Sequence, residues 1–294
     1  MCSREFSTFL EGKMNFKFTK MHGCGNDYIY FDCRKERLEN PAKVAKKLSN
    51  RHFSVGGDGI VMICPSTVAD AKMRMFNSDG SEGKMCGNAI RCVGKYLSDN
   101  KIVDRDTVRI ETMSGIKILK LKKAAGRVVS ARVDMGKPEF RSDKIPVNVA
   151  ENLNKLVSYP IKIDNVEYNI TCVSMGNPHC VVFCDSVDEI DMAKLGPKFE
   201  NNRLFPEKIN TEFVQILSPN EIKMRVWERG SGETMACGTG ACAAVVAAVE
   251  NGFCRLNECV RVRLLGGQLE ICYTKDAVYM EGDAHVAFKG EVEI

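Results

Sequence analysis

The stretch MRMFN at 73–77, followed by CG at 86–87, decides the fold because both recur 151 residues later in the chain. The second copies, with two further matches under the same shift, are MRVWE at 224–228, CG at 237–238, Glu82 on Glu233, and GN at 25–26 on GN at 176–177. One offset that serves separated motifs indicates an internal duplication, the signature of repeated structural units. We therefore predict two homologous domains related by pseudo-symmetry.

Each half repeats the same order of elements around its cysteine. Segments 71–76 and 222–227 have strand character, and each is followed by a loop that contains glycine. After the loop, 89–97 and 241–250 have helical character, and Asn251-Gly252 is a suitable end for the second helix. Because several strands then follow in each half, we predict an α+β fold with one central helix per domain.

The domain limits follow from the duplication and from local composition. Strand-like alternation gives way to glycine and proline at Met135-Gly136-Lys137-Pro138, where we place the boundary between domains 14–136 and 137–283. Residues 1–13, MCSREFSTFLEGK, precede the first strand-like segment and a second methionine. We interpret them as an N-terminal extension or an alternative start.

Composition limits the classes of function. The net charge is +4 over 294 residues, with lysine and arginine scattered among acids, which argues against a nucleic-acid partner. The longest apolar run of small residues, Ala241 to Val249, is half of the ~18 residues that a membrane span needs. Because residues 1–13 lack the apolar core of a signal peptide, we expect a cytoplasmic protein.

The cysteine count is high, at 14. In a cytoplasm these should be reduced thiols, most of them small buried residues. No pair has C-x-x-C spacing, and the histidines are dispersed, so we predict no metal site.

Cys86 and Cys237 both lie in a loop rich in glycine at the start of a predicted helix. The first N–H groups of a helix lack internal partners and carry partial positive charge. They should lower the pKa of a thiol placed there, and they can hold a substrate carboxylate. Either cysteine taken alone could simply be a buried residue near a helix start.

The duplication makes a chemical interpretation possible. Pseudo-symmetry could bring the two cysteines face to face across a cleft between the domains. Inversion of a Cα centre needs a base on one side and an acid on the other, and a thiolate with a thiol meets that need. This arrangement requires neither a metal nor a pyridoxal cofactor.

At these residues the chain resembles the diaminopimelate epimerase family. The matching motifs run in the family order between Met14 and Ile294, and they are MHGCGND at 21–27, NSDGSE at 77–82, MCGN at 85–88 with RC at 91–92, SMGNPHC at 174–180, and ERG at 228–230 through GET at 232–234 to ACGTGAC at 236–242.

The resemblance implies a fold and an activity. Each of the two pseudo-symmetric domains would be a mixed sheet wrapped around its central helix, with the active site in the interdomain cleft. The C-terminal strand, 284–294, would return to the first domain. The reaction would convert LL-diaminopimelate to the meso form, towards lysine and peptidoglycan, in a homodimer without cofactor or metal.

The resemblance also implies the site residues. Cys86 and Cys237 would be the acid–base pair, with Cys86 acting on the LL substrate. His179 would assist thiol ionisation, Glu228 would accept from an ammonium group, and Arg229 would hold the distal carboxylate. The remaining substrate contacts would be Asn26, Asn77, Gly87, Asn88, Asn177, Asn210, Gly238 and Thr239.

Simpler interpretations of single residues stand beside these. An isolated asparagine after glycine is usually a turn residue. Glu228-Arg229 could be a solvated pair, and His179 could cap a strand end. The chain also departs from the family pattern: Gly59 stands where some members have a glutamine that contacts substrate, and Ala89-Ile90 replaces a common Gly-Ala pair.

Two other functions remain open. Proline racemase-like enzymes of the same superfamily also use two cysteines, whereas phenazine-pathway-type isomerases lack the pair. The asparagines and Arg229 favour a substrate charged at both ends over proline. A cysteine-rich redox or metal-binding protein is the alternative from another class.

Overall fold

The computed structural model describes residues 14–149 and 153–294. The predicted extension, 1–13, lies outside the described residues. The first half contains β1 (Asn15–Gly23), β2 (Asn26–Asp32), α1 (Pro41–Leu48), β3 (Gly59–Cys64), β4 (Ala71–Asn77), β5 (Glu82–Gly83), α2 (Gly87–Asp99), β6 (Thr107–Thr112), β7 (Gly115–Ala124) and β8 (Arg127–Gly136). The second half contains β9 (Leu156–Ile163), β10 (Val166–Ser174), β11 (Pro178–Phe183), α3 (Met192–Glu200), β12 (Asn210–Ser218), β13 (Glu221–Glu228), β14 (Gly232–Glu233), α4 (Gly238–Glu250), β15 (Cys259–Leu264), β16 (Gly267–Tyr273), β17 (Val278–Asp283) and β18 (His285–Glu293).

The duplication extends through the whole element order. A shift of 151 residues carries α2, Gly87–Asp99, onto α4, Gly238–Glu250, so that the first and last residues of the two helices coincide. It also carries the start of α1 onto the start of α3. The predicted α+β fold with two pseudo-symmetric domains is confirmed.

The strands form one continuous ribbon. In the first half the neighbour order is β18-β1-β2-β3-β4-β6-β7-β8, and in the second it is β9-β10-β11-β12-β13-β15-β16-β17. Each half is a mixed sheet, because β2–β3, β4–β6, β11–β12 and β13–β15 are parallel pairs and the others are antiparallel. An antiparallel ladder between β8 and β17 joins the halves.

The last strand completes the first half. β18 pairs with β1 just as β9 pairs with β10, although β9 directly precedes its partner and β18 comes from the far end of the chain. This pairing supports the division that we propose into domains 14–136 and 137–283, with 284–294 added to the first.

The central helices are buried inside the curved sheets. In α4 the run from Ala241 to Ala248 is fully buried, because alanine, valine and cysteine are small enough for strands to approach on all sides. The helix ends as predicted: the Asn251 side chain donates to the Ala247 carbonyl at 2.8 Å, and Gly252 takes a positive φ of 77°.

One expectation about the cysteines is wrong. Cys259 and Cys272 face each other on β15 and β16, with Cα atoms 4.2 Å apart, and form a disulfide. Eleven cysteines of the described residues are free thiols. None of the helices within 14–149 and 153–294 is long and apolar enough to cross a membrane.

Candidate active site

Both helix starts open onto one cleft between the halves. This cleft has a volume of ≈ 620 Å³, and both Cys86 and Cys237 line it. An adjoining cavity of ≈ 890 Å³ shares Asn26, Asn177 and Glu228 with it. The fold therefore brings the two predicted acid–base residues to a common space.

Each cysteine is the N-cap residue of its helix. The Cys86 Sγ accepts from the Ala89 N–H at 3.4 Å, and the Cys237 Sγ accepts from the Gly240 N–H at 3.4 Å. The side-chain neighbours of the thiols differ: the Cys86 Sγ donates to Asn26 Oδ1 at 3.2 Å, whereas the Cys237 Sγ lies 3.4 Å from the Thr239 hydroxyl. At the N-terminus of each helix, a free backbone N–H group thus points at the sulfur atom.

The net effect on thiol acidity differs from the prediction. Burial raises the pKa of Cys86, and the N–H groups of Ala89 and Asn88 only partly oppose it. Burial raises the pKa of Cys237 well above its usual value, and the Glu228 and Glu212 carboxylates raise it further. The expected fall in pKa at the helix starts is therefore wrong for the unliganded site, because desolvation outweighs the N–H groups.

The glycines that follow the two cysteines, Gly87 and Gly238, both pack against the side chain of Met280. A Cβ on Gly87 would lie 2.6 Å from the Met280 Cε, and a Cβ on Gly238 would lie 3.1 Å from the Met280 Sδ. The Asn88 side chain also donates to the Ala236 carbonyl across the halves, at 3.4 Å. These contacts fix one cysteine-bearing loop against the other.

Three predicted asparagines already have partners near the cleft. Asn26 donates to Asp58 Oδ2 at 2.7 Å while its own carbonyl accepts from Cys86. Asn77 donates to the Ser81 hydroxyl at 3.0 Å. Asn88 accepts from the buried Arg91 guanidinium at 3.0 Å.

The second half supplies His179 and two more asparagines. The Nδ1 of His179 lies 2.7 Å from Glu212 Oε1, and its Nε2 lies 3.1 Å from Asn177 Oδ1. Asn210 donates to the Pro178 carbonyl at 2.9 Å and accepts from the Arg229 backbone N–H at 3.1 Å. His179 is buried behind the cleft wall, where it holds Asn177, and Asn210, although nearly buried, lines the adjoining cavity.

Glu228 and Arg229 lie side by side at the junction of the two cavities. Glu228 accepts from the Thr234 hydroxyl at 2.5 Å, and burial raises the pKa of its carboxyl. Arg229 donates one N–H to the Glu207 carbonyl at 3.0 Å. A guanidinium has five N–H donors, so most of them remain available to a ligand.

The absent glutamine has a steric explanation. A Cβ on Gly59 would lie 2.0 Å from the Phe76 carbonyl oxygen. No side chain fits there without a backbone shift.

The predicted residues that line the cleft are Asn26, Asn77, Cys86, Gly87, Asn88, Asn177, Glu228, Arg229, Cys237, Gly238 and Thr239. Sequence reasoning missed Asp58 and Glu212. The signal for Glu212 was present: it is an acid within the apolar strand NTEFVQIL at 210–217, and it is fully buried.

A metal site is not evident in the cleft. In the part of the chain that the structure describes, the one group of three metal-ligating side chains is Cys259, Glu270 and Cys272, and its two cysteines form the disulfide.

Sequence comparisons identify the family. The family model described as "Diaminopimelate epimerase" matches residues 18–141 and 171–287. A protein of that name from Acetivibrio thermocellus is 52% identical over 280 residues, which cover 95% of this chain and 99% of the relative. One from Methanococcus maripaludis is 50% identical, covering 95% of this chain and 100% of the relative.

Solved structures share the fold at low sequence identity. A phenazine biosynthesis protein of the PhzF family from Bacillus anthracis has a TM-score of 0.68 at 17% identity, covering 96% of this chain and 100% of the other. A probable proline racemase from Agrobacterium radiobacter K84 has a TM-score of 0.67 at 15% identity, covering 94% and 92%. At these identities the likeness extends to the fold alone.

Proposed function

The chain belongs to the diaminopimelate epimerase family, and from that premise we propose that it interconverts LL- and meso-diaminopimelate by moving a proton between Cys86 and Cys237. The observation that carries the proposal is that both cysteines cap equivalent helices and line one cleft. The chain is an enzyme of the epimerase class, and the proposal concerns its substrate, mechanism and residues.

The reaction balances with two thiol groups. The Cys86 thiolate removes the Cα proton from one face of the LL substrate, and the Cα–H electron pair remains as a carbanion delocalised into the carboxylate. The Cys237 thiol then gives its proton to the opposite face. The products are a Cys86 thiol and a Cys237 thiolate, which are poised for the reverse reaction.

The helix starts stabilise the charge that develops. The reacting carboxylate binds the free N–H groups after each cysteine, at Gly87, Asn88, Gly238 and Thr239. These donors are fixed before substrate arrives, so they need no reorganisation as negative charge grows on the carboxylate oxygens.

Substrate binding also helps to form the thiolate. The Glu228 carboxylate raises the pKa of both Cys86 and Cys237 in the free site. A substrate ammonium group beside Glu228 neutralises that effect and so lowers the pKa of both thiols. Ionisation is then favoured when substrate is present to be deprotonated.

Recognition of the distal end rests on Arg229 and the asparagines. A guanidinium pairs with a carboxylate through two parallel hydrogen bonds. Asn26, Asn77 and Asn177 surround the cleft with amide groups, and Asn210 positions Arg229 through its backbone. His179 assists thiol ionisation from its place behind Asn177.

The wider role follows the family. We propose a cytoplasmic homodimer that needs no pyridoxal phosphate or metal and acts towards lysine and peptidoglycan precursors.

The deciding experiment is turnover of LL-diaminopimelate by purified, metal-free protein with no added cofactor, in D2O. Deuterium should appear at one Cα as the meso isomer forms. Proline is the comparison substrate, because proline racemase-like enzymes share the fold. Turnover of proline without diaminopimelate turnover would contradict the proposal.

A further inference from the structure

A buried carboxylate lies behind the loop at 228–231. It belongs to Glu200, the last residue of α3, which is only 6% exposed. Three groups donate to it: the Trp227 Nε1–H at 2.7 Å, the Gly230 backbone N–H at 3.0 Å and the Lys208 ammonium at 3.1 Å. None of these three groups can accept a hydrogen bond, so the direction of each bond is unambiguous. Burial of a carboxylate is unfavourable unless it is paired, and here three donors pair it.

These contacts hold Arg229 from two sides. Gly230 directly follows Arg229 in the chain, so its bond to Glu200 fixes the backbone that carries the guanidinium. Lys208 directly follows Glu207, and the Glu207 carbonyl accepts from the Arg229 guanidinium at 3.0 Å. One carboxylate therefore restrains both the loop that bears Arg229 and the segment against which its side chain rests.

The Trp227 side chain packs directly against α3. Gly196 and Glu200 lie one turn apart on this helix. A Cβ on Gly196 would overlap the indole ring, so glycine lets the ring lie close to the helix backbone, where its N–H reaches the Glu200 carboxylate. The far edge of the ring lies under the loop, since a Cβ on Gly232 would be 3.6 Å from the Trp227 Cη2.

The first half lacks this arrangement. Under the shift of 151 residues, its corresponding positions hold residues that cannot form the same contacts: Ser49 for Glu200, Phe76 for Trp227 and Ala45 for Gly196. The place of Arg229 is taken by Ser78. The contacting positions thus differ together between the halves, and the half that has the buried carboxylate also has the arginine. A substrate with one distal carboxylate needs such an arginine from one half only.

Glu200 is ionised at neutral pH. Burial raises the pKa of its carboxyl, but the hydrogen bonds from Trp227, Gly230 and Lys208 outweigh burial and hold the pKa below its usual value. The carboxylate therefore presents acceptors alone to the three donors.

We propose that Glu200 is a positioning residue for Arg229, which it holds where the guanidinium meets the distal carboxylate of the substrate. The identity of that carboxylate rests on the proposed function. Glu200 does not line either cavity of the site, so it acts through Arg229 and not on the substrate itself. Its loss should therefore weaken binding of the distal end more than it slows proton transfer at Cys86 and Cys237.

Glu200→Gln tests this role. Glutamine keeps the size of glutamate but removes the charge and replaces one accepting oxygen with a donor, so one of the three donors loses its partner. KM for diaminopimelate should rise about tenfold, the scale of a lost hydrogen bond to a charged group, while kcat falls less. The control is Glu221→Gln, the same substitution at the opposite end of β13, where the carboxylate accepts from Arg263 at 2.9 Å. It should leave both constants unchanged.

A double-mutant cycle shows whether the effect passes through Arg229. Arg229→Ala removes the group through which Glu200 acts. In that background, Glu200→Gln should change KM by about twofold or less, because the two substitutions disrupt the same interaction. A tenfold rise that persists without Arg229 would overturn the positioning role.

A spectroscopic test does not depend on the substrate. Trp227 is the single tryptophan of the chain, so its indole N–H gives one nuclear magnetic resonance signal that needs no assignment. In the wild type this proton should exchange slowly with solvent, because it is bonded to a buried carboxylate. Glu200→Gln should shift the signal and accelerate exchange about tenfold. An unchanged signal would overturn the proposal, whatever the enzyme turns over.

The outcomes separate the inference from the proposed activity. If neither wild type nor variant acts on diaminopimelate, the proposed function fails, but the indole signal still decides whether Glu200 holds this loop. If Glu200→Gln does not fold, Trp227→Phe replaces it, because phenylalanine keeps an aromatic ring and is the residue of the first half at Phe76. That variant should also raise KM more than it lowers kcat, and an unchanged KM would overturn the positioning role.

Discussion

At the scale of single residues, the site consists of two weak acids held under opposing influences. Helix N–H groups favour the thiolate of Cys86, and burial opposes it. Ionisation of Cys237 is opposed by burial and also by the carboxylates of Glu228 and Glu212. Cys86 therefore ionises more readily than Cys237, which suits the roles that we propose, Cys86 as the base and Cys237 as the proton donor, with Glu228 as the group through which a substrate ammonium would change both pKa values.

Replacement of either cysteine should abolish epimerisation. Cys86→Ala and Cys237→Ala each remove one of the two groups that exchange the proton, so turnover should fall at least 10³-fold, about the scale of acid–base catalysis. Cys242→Ala, a buried cysteine one turn further along α4, is the control and should keep most activity. Near-normal turnover by either site variant would refute the two-base mechanism.

The rate should also rise with pH. Because burial raises the pKa of Cys86 above its ordinary value in the free enzyme, the thiolate fraction is small at pH 7 and grows about tenfold per pH unit below the pKa. Cys237, raised further, stays a thiol through this range. We expect kcat/KM to increase from pH 7 to pH 9; a flat profile would mean that Cys86 is already ionised.

Arg229→Lys should weaken recognition of the distal carboxylate. Lysine keeps the charge but loses the planar pair of donors. KM should rise about tenfold or more, since charge-assisted bonds are among the strong ones, while the free energy of unfolding stays near wild type at this exposed position. Equal turnover of 2-aminopimelate or lysine by the wild type would show that the distal end is not recognised.

Most cleft residues could be predicted from the sequence because the motifs keep them close to helix starts and strand ends. Two features could not. The pairing of Glu212 with His179 depends on β12, which places Glu212 beside a residue 33 positions earlier in the chain. The direction of the cysteine pKa shifts depends on burial depth, and a sequence does not record how much water is excluded.

At the scale of elements, the two helices were the predictable part. Their N-caps and apolar residues are local features of α2 and α4, and so is the glycine that follows α4. The pairings β8–β17 and β1–β18 join residues more than 100 positions apart, so no local pattern reveals them. For β18 the prediction rested on family resemblance alone.

The β1–β18 pairing should matter for stability. A Cβ on Gly290 would lie 2.7 Å from the Phe18 Cζ, so Gly290→Val should lower the free energy of unfolding by about 1–3 kcal/mol. Lys289→Val, at the neighbouring exposed position, is the control and should not destabilise. Denaturant unfolding measures both, and equal stabilities would contradict the importance of this packing.

At the scale of the whole molecule, the two halves of the chain each bring one cysteine, Cys86 or Cys237, to the same cleft. We expect mild oxidation to link Cys86 to Cys237 and stop turnover, with recovery in dithiothreitol. Such a link requires the two Cα atoms to come within roughly 7 Å, so it also measures how far the halves close. Peptide mapping identifies the link, and inactivation with both thiols free would rule it out.

The disulfide between Cys259 and Cys272 provides an internal reference for that experiment. Cys259–Cys272 joins adjacent strands of the second half, away from the cleft. The Cys259→Ser/Cys272→Ser variant should therefore retain activity and retain oxidative inactivation. If oxidation no longer inactivates this variant, the inactivation comes from Cys259 and Cys272 and not from a link between Cys86 and Cys237.

The return of β18 brings the two ends of the described chain together. Met14 and Ile294 exchange backbone hydrogen bonds of 3.1 and 2.9 Å. The backbone is thus nearly a closed ring, and its break point is a matter of gene order rather than of architecture. The same molecule should assemble from a circularly permuted gene, with 294 fused to 14 and new ends opened between 136 and 137, at the domain boundary that we propose.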